Sequence, residues 1–148
     1  MATRKKLLAR DIMSTKGVQC VGEHESLLDA SRMMRDLKVG CLPICGDDQR
    51  LKGVITDRDI VVQCVAEGRD ASGVQAGELA GALHWVDAEA DANEALETME
   101  RHQIKRLPVI DVKNDHRLCG MITEADLAKN LTDEQIAEFA SRVYATAG

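Results

Sequence analysis

The sequence predicts an α/β (α+β) fold built from two β-α-β-β-α repeats and a C-terminal helix, and three observations lead there. Two segments of the chain align at a nearly constant offset, and each carries the same succession of strand-like and helix-like patterns. Of the 148 residues, 45% are hydrophobic and 30% charged, the proportions of a compact domain. The first copy runs from Val21 to Ile60 and the second from Val86 to Leu127. Val21 and Val86, Ala30 and Ala95, Met34 and Met99, and Pro43 and Pro108 are each 65 residues apart. Gly53 and Gly120, Thr56 and Thr123, and Asp59 and Asp126 are each 67 apart. The second copy therefore holds two extra residues near Asp111–Arg117, where a hairpin loop is expected to absorb them.

Each copy opens with a short β-prone stretch, Val18–Val21 or Leu83–Val86, and then a polar turn. A helix follows. In the first copy Ser26 is the expected N-cap before Leu27, Ala30, Met33, Met34 and Leu37; in the second, Asn93 precedes Ala95, Leu96, Met99 and Ile104. The strands Cys41–Cys45 and Arg106–Ile110 come next, with Pro43 and Pro108 suiting an edge or strand-start position. Polar turns lead into Leu51–Ile55 and Leu118–Ile122, and Thr56 and Thr123 open a second helix. The boundaries are 9–65 for repeat 1, 66–81 for a Gly-, Ala- and Ser-rich linker, 82–130 for repeat 2, and 131–148 for the tail. A three-stranded sheet this small leaves an apolar face uncovered, so the copies are expected to pack as one pseudo-twofold module. In the tail, Thr132 and Gln135 form a capping box ahead of Ile136, Phe139, Ala140 and Val143 on one helix face, which docks on its own module or on a second copy.

Nineteen Lys and Arg against 25 Asp and Glu give a net charge of −6, which repels nucleic acid and anionic membrane. Trp85, Phe139 and Tyr144 are the only aromatics, too few for base-stacking platforms. No apolar run reaches membrane-spanning length, and Arg4, Lys5 and Lys6 precede no long apolar stretch, so the expected location is cytoplasmic. Nucleophile elbows, zinc-protease helices and phosphate-cradling glycine loops are all missing, which argues against an enzyme.

The repeated signature is Leu42-Pro43-Ile44 or Leu107-Pro108-Val109, followed about ten residues later by Gly53-Val54-Ile55-Thr56 with Asp59, or Gly120-Met121-Ile122-Thr123 with Asp126. Together with the lead-in Asp11-Ile12-Met13-Ser14, it resembles the tandem CBS-domain family, the Bateman module, from about Ala9 to Lys129. The resemblance implies a non-catalytic, stress-related regulatory pair, homodimeric and coupled to a protein partner. It also implies an adenosine-containing ligand (AMP, ADP, ATP or S-adenosylmethionine) in the cleft between repeats, with no required cofactor. Thr56 and Asp59 in one site, and Thr123 and Asp126 in the other, would bond the ribose. The same Thr-x-x-Asp spacing is a helix capping box, a role that leaves the Asp carboxylate available. Arg58, Lys105 and Arg106 are the candidate phosphate groups; their counterparts Ala125, Gly40 and Cys41 carry no charge, so the two sites differ. Trp85 lies in the core or lines the cleft, with the core favoured.

Five cysteines form an odd number in a chain without a secretory signal, so reduced, mostly buried thiols are expected. Cys20, Cys41 and Cys45 nevertheless cluster in the first copy. A Cys20–Cys45 disulfide, or a zinc site of Cys20, His24 and Cys45, gives the rival reading: a metal- or redox-responsive structural CBS protein without nucleotide. His84, His102 and His116 are scattered in the sequence and read as surface or capping residues.

Overall fold

In the first unit, Gly17–Leu83, a parallel strand pair and an antiparallel hairpin share the middle strand; the second, Met1–Lys16 with His84–Gly148, repeats the pattern. The structure is a computed structural model that describes residues 7–15, 18–81 and 83–144. Arg4, Lys5 and Lys6, residue Ala82 at the expected start of repeat 2, and residues 145–148 of the expected tail lie outside the described residues.

The first unit contains β1 (Val21–Gly22), α2 (Leu27–Leu37), β2 (Cys41–Cys45), β3 (Leu51–Thr56) and α3 (Asp57–Ile60), which runs into a π-helical turn at Val61–Val65; α1 (Ala9–Ile12) precedes them in the chain. The second contains β4 (Val86–Asp87), α4 (Ala92–His102), β5 (Arg106–Asp111), β6 (Arg117–Thr123), α5 (Glu124–Asn130) and α6 (Asp133–Val143). Each sheet has three strands, in the order β1-β2-β3 and β4-β5-β6. The opening strands begin later than expected because only residues opposite the end of the middle strand are held in the ladder. Val21 lies opposite Ile44, and Val86 opposite Val109.

Ser26 caps α2 as expected, its hydroxyl accepting from the Asp29 N–H at 3.0 Å. The cap of α4 is Asp91 rather than Asn93: its carboxylate accepts from the Asn93 N–H at 2.8 Å, and it is the residue that the 65-residue offset maps onto Ser26. The two inserted residues lengthen the hairpin rather than its loop. The first hairpin closes on Cys45 opposite Leu51, the second on Asp111 opposite Arg117, with a register shift at the same place in each. Pro43 and Pro108 sit in the middle strands, not at an edge or strand start. β1 and β4 reach only Ile44–Cys45 and Val109–Ile110, so each proline has a ladder neighbour on one side alone.

The greatest departure from the sequence reading concerns the linker and the lead-in. Val74, Ala76 and Leu79, in and between the 3-10 turns Ala71–Gly73 and Ala76–Leu79, are buried in the first unit's core. Ala9 and Ile12 of α1 are buried in the second unit's core, so the lead-in expected to open repeat 1 completes repeat 2 instead. The two segments are themselves repeat counterparts: Ala9 maps onto Ala76 and Ile12 onto Leu79 at an offset of 67. Gln75 bridges Ser26 just as Leu8 bridges Asp91. The signature glycines make room for them. A Cβ on Gly53 would lie 2.8 Å from the Ala80 Cβ, and one on Gly120 would meet the Met13 side chain.

In the tail, Phe139 and Val143 of α6 are buried with the second unit's core, whereas Ala140, expected on the same face, is exposed. Thr132 and Gln135 form the predicted capping box. Among the described residues no helix is long and apolar enough to cross a membrane.

The two glycines should respond differently to alanine. Gly53→Ala meets the rigid Ala80 and should lose about 1–3 kcal/mol of unfolding free energy, the usual range for overpacking. Gly120→Ala meets a flexible methionine and should lose less. Urea denaturation of both variants checks this, and equal losses would contradict the assigned contacts.

Candidate functional site

Each hairpin ends on a threonine that closes its last strand and caps the next helix. The Thr56 hydroxyl accepts from the Asp59 N–H at 3.1 Å, and Asp59 Oδ2 accepts from the Thr56 N–H at 2.9 Å. The Asp59 Oδ1 is reached by Gln63 Nε2 at 3.4 Å. In the second unit Asp126 Oδ2 accepts from the Thr123 N–H at 2.9 Å and from the Thr123 hydroxyl at 3.0 Å, while the Asp126 N–H donates back to that hydroxyl at 3.4 Å. The capping reading therefore holds in both repeats. Each carboxylate commits Oδ2 to its cap, so it is less available than the sequence suggested. Asp126 is the more enclosed of the two, at 8% exposure, while Asp59 is half-buried.

The surrounding charge is unequal, as the sequence indicated. Arg106 opens β5 directly opposite Thr123, whereas its counterpart Cys41 lies opposite Thr56. Lys105 places its Nζ 4.4 Å from the centre of the Tyr144 ring, and the Tyr144 hydroxyl donates to Glu124 Oε1 at 2.5 Å. The first repeat has Gly40 instead, close enough to Asp57 that a Cβ would lie 3.1 Å from its Oδ2. Arg58 is exposed on α3, its backbone N–H bonded to Asp57 Oδ1 at 2.8 Å. No local sequence pattern links Tyr144 to Lys105, so this contact is visible only in the structure.

The thiol expectation needs correcting for one pair. Cys20 and Cys45 form a disulfide with Cα atoms 5.7 Å apart, because the parallel pairing of β1 with β2 brings the residue before Val21 beside the end of β2. Cys41 and Cys64 remain buried thiols and Cys119 a partly buried one, which burial and the Asp111 carboxylate make harder to ionise. Sulfurs joined to each other offer no thiolate, so the set of Cys20, His24 and Cys45 does not fit a zinc ion in this state. His24 lies against Gln75 Oε1 and Glu23 instead, and no group of three or more metal-ligating side chains occurs among the described residues.

Two further expectations are revised. Trp85 is not a core residue: it is 39% exposed and meets His116 edge-on, with ring centres 6.5 Å apart. The histidines are not all isolated either. His84 stacks on His102 at 3.7 Å, because the chain entering β4 passes the end of α4. Burial, and secondarily the charge of His102, holds the His84 imidazole below its ordinary pKa.

A duplicated three-stranded hairpin unit, each copy ending on a Thr/Asp box, is the architecture of a tandem CBS pair. The CBS domain model matches residues 9–65 and 80–133, and the chain belongs to this family. It is a regulatory-type CBS-pair protein homologous to hypoxic response protein 1 of Mycobacterium tuberculosis, which is 50% identical over 136 residues, 91% of this chain and 92% of that protein. The crystal structure of Hypoxic Response Protein I with two coordinated zinc ions superposes with a TM-score of 0.75 at 52% identity, covering 85% of this chain and all of that one. A CBS domain protein from Pyrobaculum aerophilum complexed with AMP shares the fold, with a TM-score of 0.74 at 21% identity over 91% of this chain and 99% of that one.

Two predictions follow from this geometry. Replacing Cys20 and Cys45 together by serine should lower the unfolding free energy by about 2–4 kcal/mol, the worth of a disulfide closing a loop of this size; an equal midpoint and slope in denaturant would contradict the link. His84 takes up a proton more readily when unfolded, so its contribution to stability is full above about pH 6.5 and falls as the pH drops below that value. His84→Gln should flatten the decline in stability between about pH 7 and pH 5. A decline as steep as in the parent protein would rule out the stacked arrangement as its source.

Proposed function

We propose that this protein is a non-catalytic sensor that binds an adenosine-containing ligand at the strand-to-helix turns Thr56–Asp59 and Thr123–Asp126 and transmits occupancy through its own conformation or association. The observation that carries this reading is the duplicated Thr/Asp box with basic groups beside it. At each turn the cap uses Oδ2 of the carboxylate, leaving Oδ1 outside it, an arrangement suited to charge-assisted hydrogen bonds with sugar hydroxyls. Arg58 in one repeat, and Lys105 and Arg106 in the other, supply phosphate contacts. The AMP complex of the Pyrobaculum aerophilum protein supports this ligand class. The output reaches a protein partner, and a homodimer is the expected working form. Kinship with a hypoxic response protein supports a role in stress.

A second reading is favoured by one observation. The Cys20–Cys45 disulfide in a chain expected to be cytoplasmic is a redox-sensitive element, since reducing compartments keep most thiols unpaired. On this reading the first repeat responds to oxidant and no nucleotide is needed. The zinc of Hypoxic Response Protein I belongs with this alternative, and its test is metal uptake by the reduced protein.

Calorimetric titration of reduced, metal-stripped protein with AMP, ADP, ATP and S-adenosylmethionine separates the two readings. Saturable heat is expected, and Asp59→Ala and Asp126→Ala should each weaken binding at their own site by about 1.5–3 kcal/mol, the worth of a charge-assisted hydrogen bond. Unchanged affinity in both variants removes these residues from the site. No heat with any nucleotide, together with zinc uptake, establishes the alternative.

A further inference from the structure

The two boxes share one capping pattern, and in the second the residue that ends the C-terminal helix reaches the groups beside the box. Lys105 and Glu124 are the counterparts of Gly40 and Asp57, at offsets of 65 and 67. In the first repeat those positions lie against each other directly, the Asp57 N–H donating to the Gly40 carbonyl at 3.0 Å. In the second, Tyr144 at the end of α6 takes hold of both: its ring lies under the Lys105 ammonium and its hydroxyl bonds the Glu124 carboxylate. The rest of the last turn is fastened to α4 and the residue that ends it. Gln103 Nε2 donates to the Arg142 carbonyl at 3.2 Å, and the Arg142 guanidinium pairs with Glu100 at 3.1 Å.

We infer that Tyr144 is a strap on the second repeat's ligand site: while it holds Lys105 and Glu124 it withholds the lysine from phosphate, and a phosphorylated ligand must displace it, loosening the end of α6. This rests on the proposed adenosine-ligand function and adds its regulation. The strap is built to yield, because one exposed cation–π contact and one surface hydrogen bond are weak beside a lysine–phosphate pair. Displacement also provides an output, since α6 is the element whose docking changes. The first repeat has glycine at position 40 and, among the described residues, no equivalent restraint, so the two sites fill in order: the open one first, the strapped one at higher ligand concentration.

The test uses the full chain in an Asp59→Ala background, which leaves the second repeat as the working site. ATP and adenosine are titrated into this protein and into its Tyr144→Phe and Tyr144→Ala derivatives. Tyr144→Ala should bind ATP about tenfold more tightly, the gain expected if the open form is about a tenth of the population, while its affinity for adenosine changes by less than about twofold. Tyr144→Phe, which keeps the ring and loses the bond to Glu124, should fall between. Hydrogen exchange should show ATP speeding exchange at the C-terminal end of α6 in the Tyr144-containing protein. ATP binding only after removal of Tyr144 also supports the strap. Equal or weaker ATP affinity in Tyr144→Ala overturns it while leaving the proposed function intact, as does binding by the parent protein but by none of the three Asp59→Ala proteins. No binding of any nucleotide by the parent protein overturns both.

Discussion

The reciprocal hydrogen bonds between Thr56 and Asp59, and between Thr123 and Asp126, fix the direction in which each helix leaves its hairpin. A strand that turns straight into a helix leaves the first helical N–H groups unpaired, and the box satisfies one of them while the carboxylate holds the backbone of the cap. From this turn the rest of each repeat follows. The middle strand is registered against the capped strand, the preceding helix ends in a left-handed residue at Lys38 or Gln103, and basic or neutral side chains are delivered to the start of the middle strand. A ligand using the same carboxylate would meet a group whose position the cap already fixes, the condition for preorganised binding.

Duplication has kept this backbone and varied its chemistry. The second hairpin is one residue longer on each strand, Arg106 replaces Cys41 opposite the cap, and Lys105 replaces Gly40. The first repeat carries the disulfide; the second carries the tail helix, whose Phe139 and Val143 extend its core. Each repeat is also completed by a segment from outside its own stretch, α1 in one case and the turns around Val74–Leu79 in the other. The signature glycines are where those segments cross, so one residue type serves both the closing strand and the packing of a neighbouring piece of chain.

What the sequence disclosed and what it concealed divide along physical lines. Periodicity, capping and hairpin pairing are local, and Ser26, Thr56, Thr123 and Thr132 were all legible as caps from their spacing. The cap of α4 is Asp91, which the 65-residue offset maps onto Ser26, while Asn93 lies nearer the apolar pattern and is the more conspicuous candidate in the sequence. The supposed linker hid its role because three buried side chains, Val74, Ala76 and Leu79, are diluted among small residues, and composition outweighed position. Contacts between residues far apart in sequence had no local signal. The pairing of Cys20 with Cys45 depends on the parallel strand register, and the meetings of Lys105 with Tyr144 and His84 with His102 depend on how helices end against one another.

The claim at the centre of this account is that the capping boxes are also the ligand contacts. The most direct measurement is an amide chemical-shift titration of the isotope-labelled full chain with AMP. Saturable shifts concentrated at Thr56–Asp59, with those at Thr123–Asp126 appearing at the same or higher AMP concentration, are the predicted result. Saturable shifts that leave both turns unmoved, or no shifts at all, would contradict it.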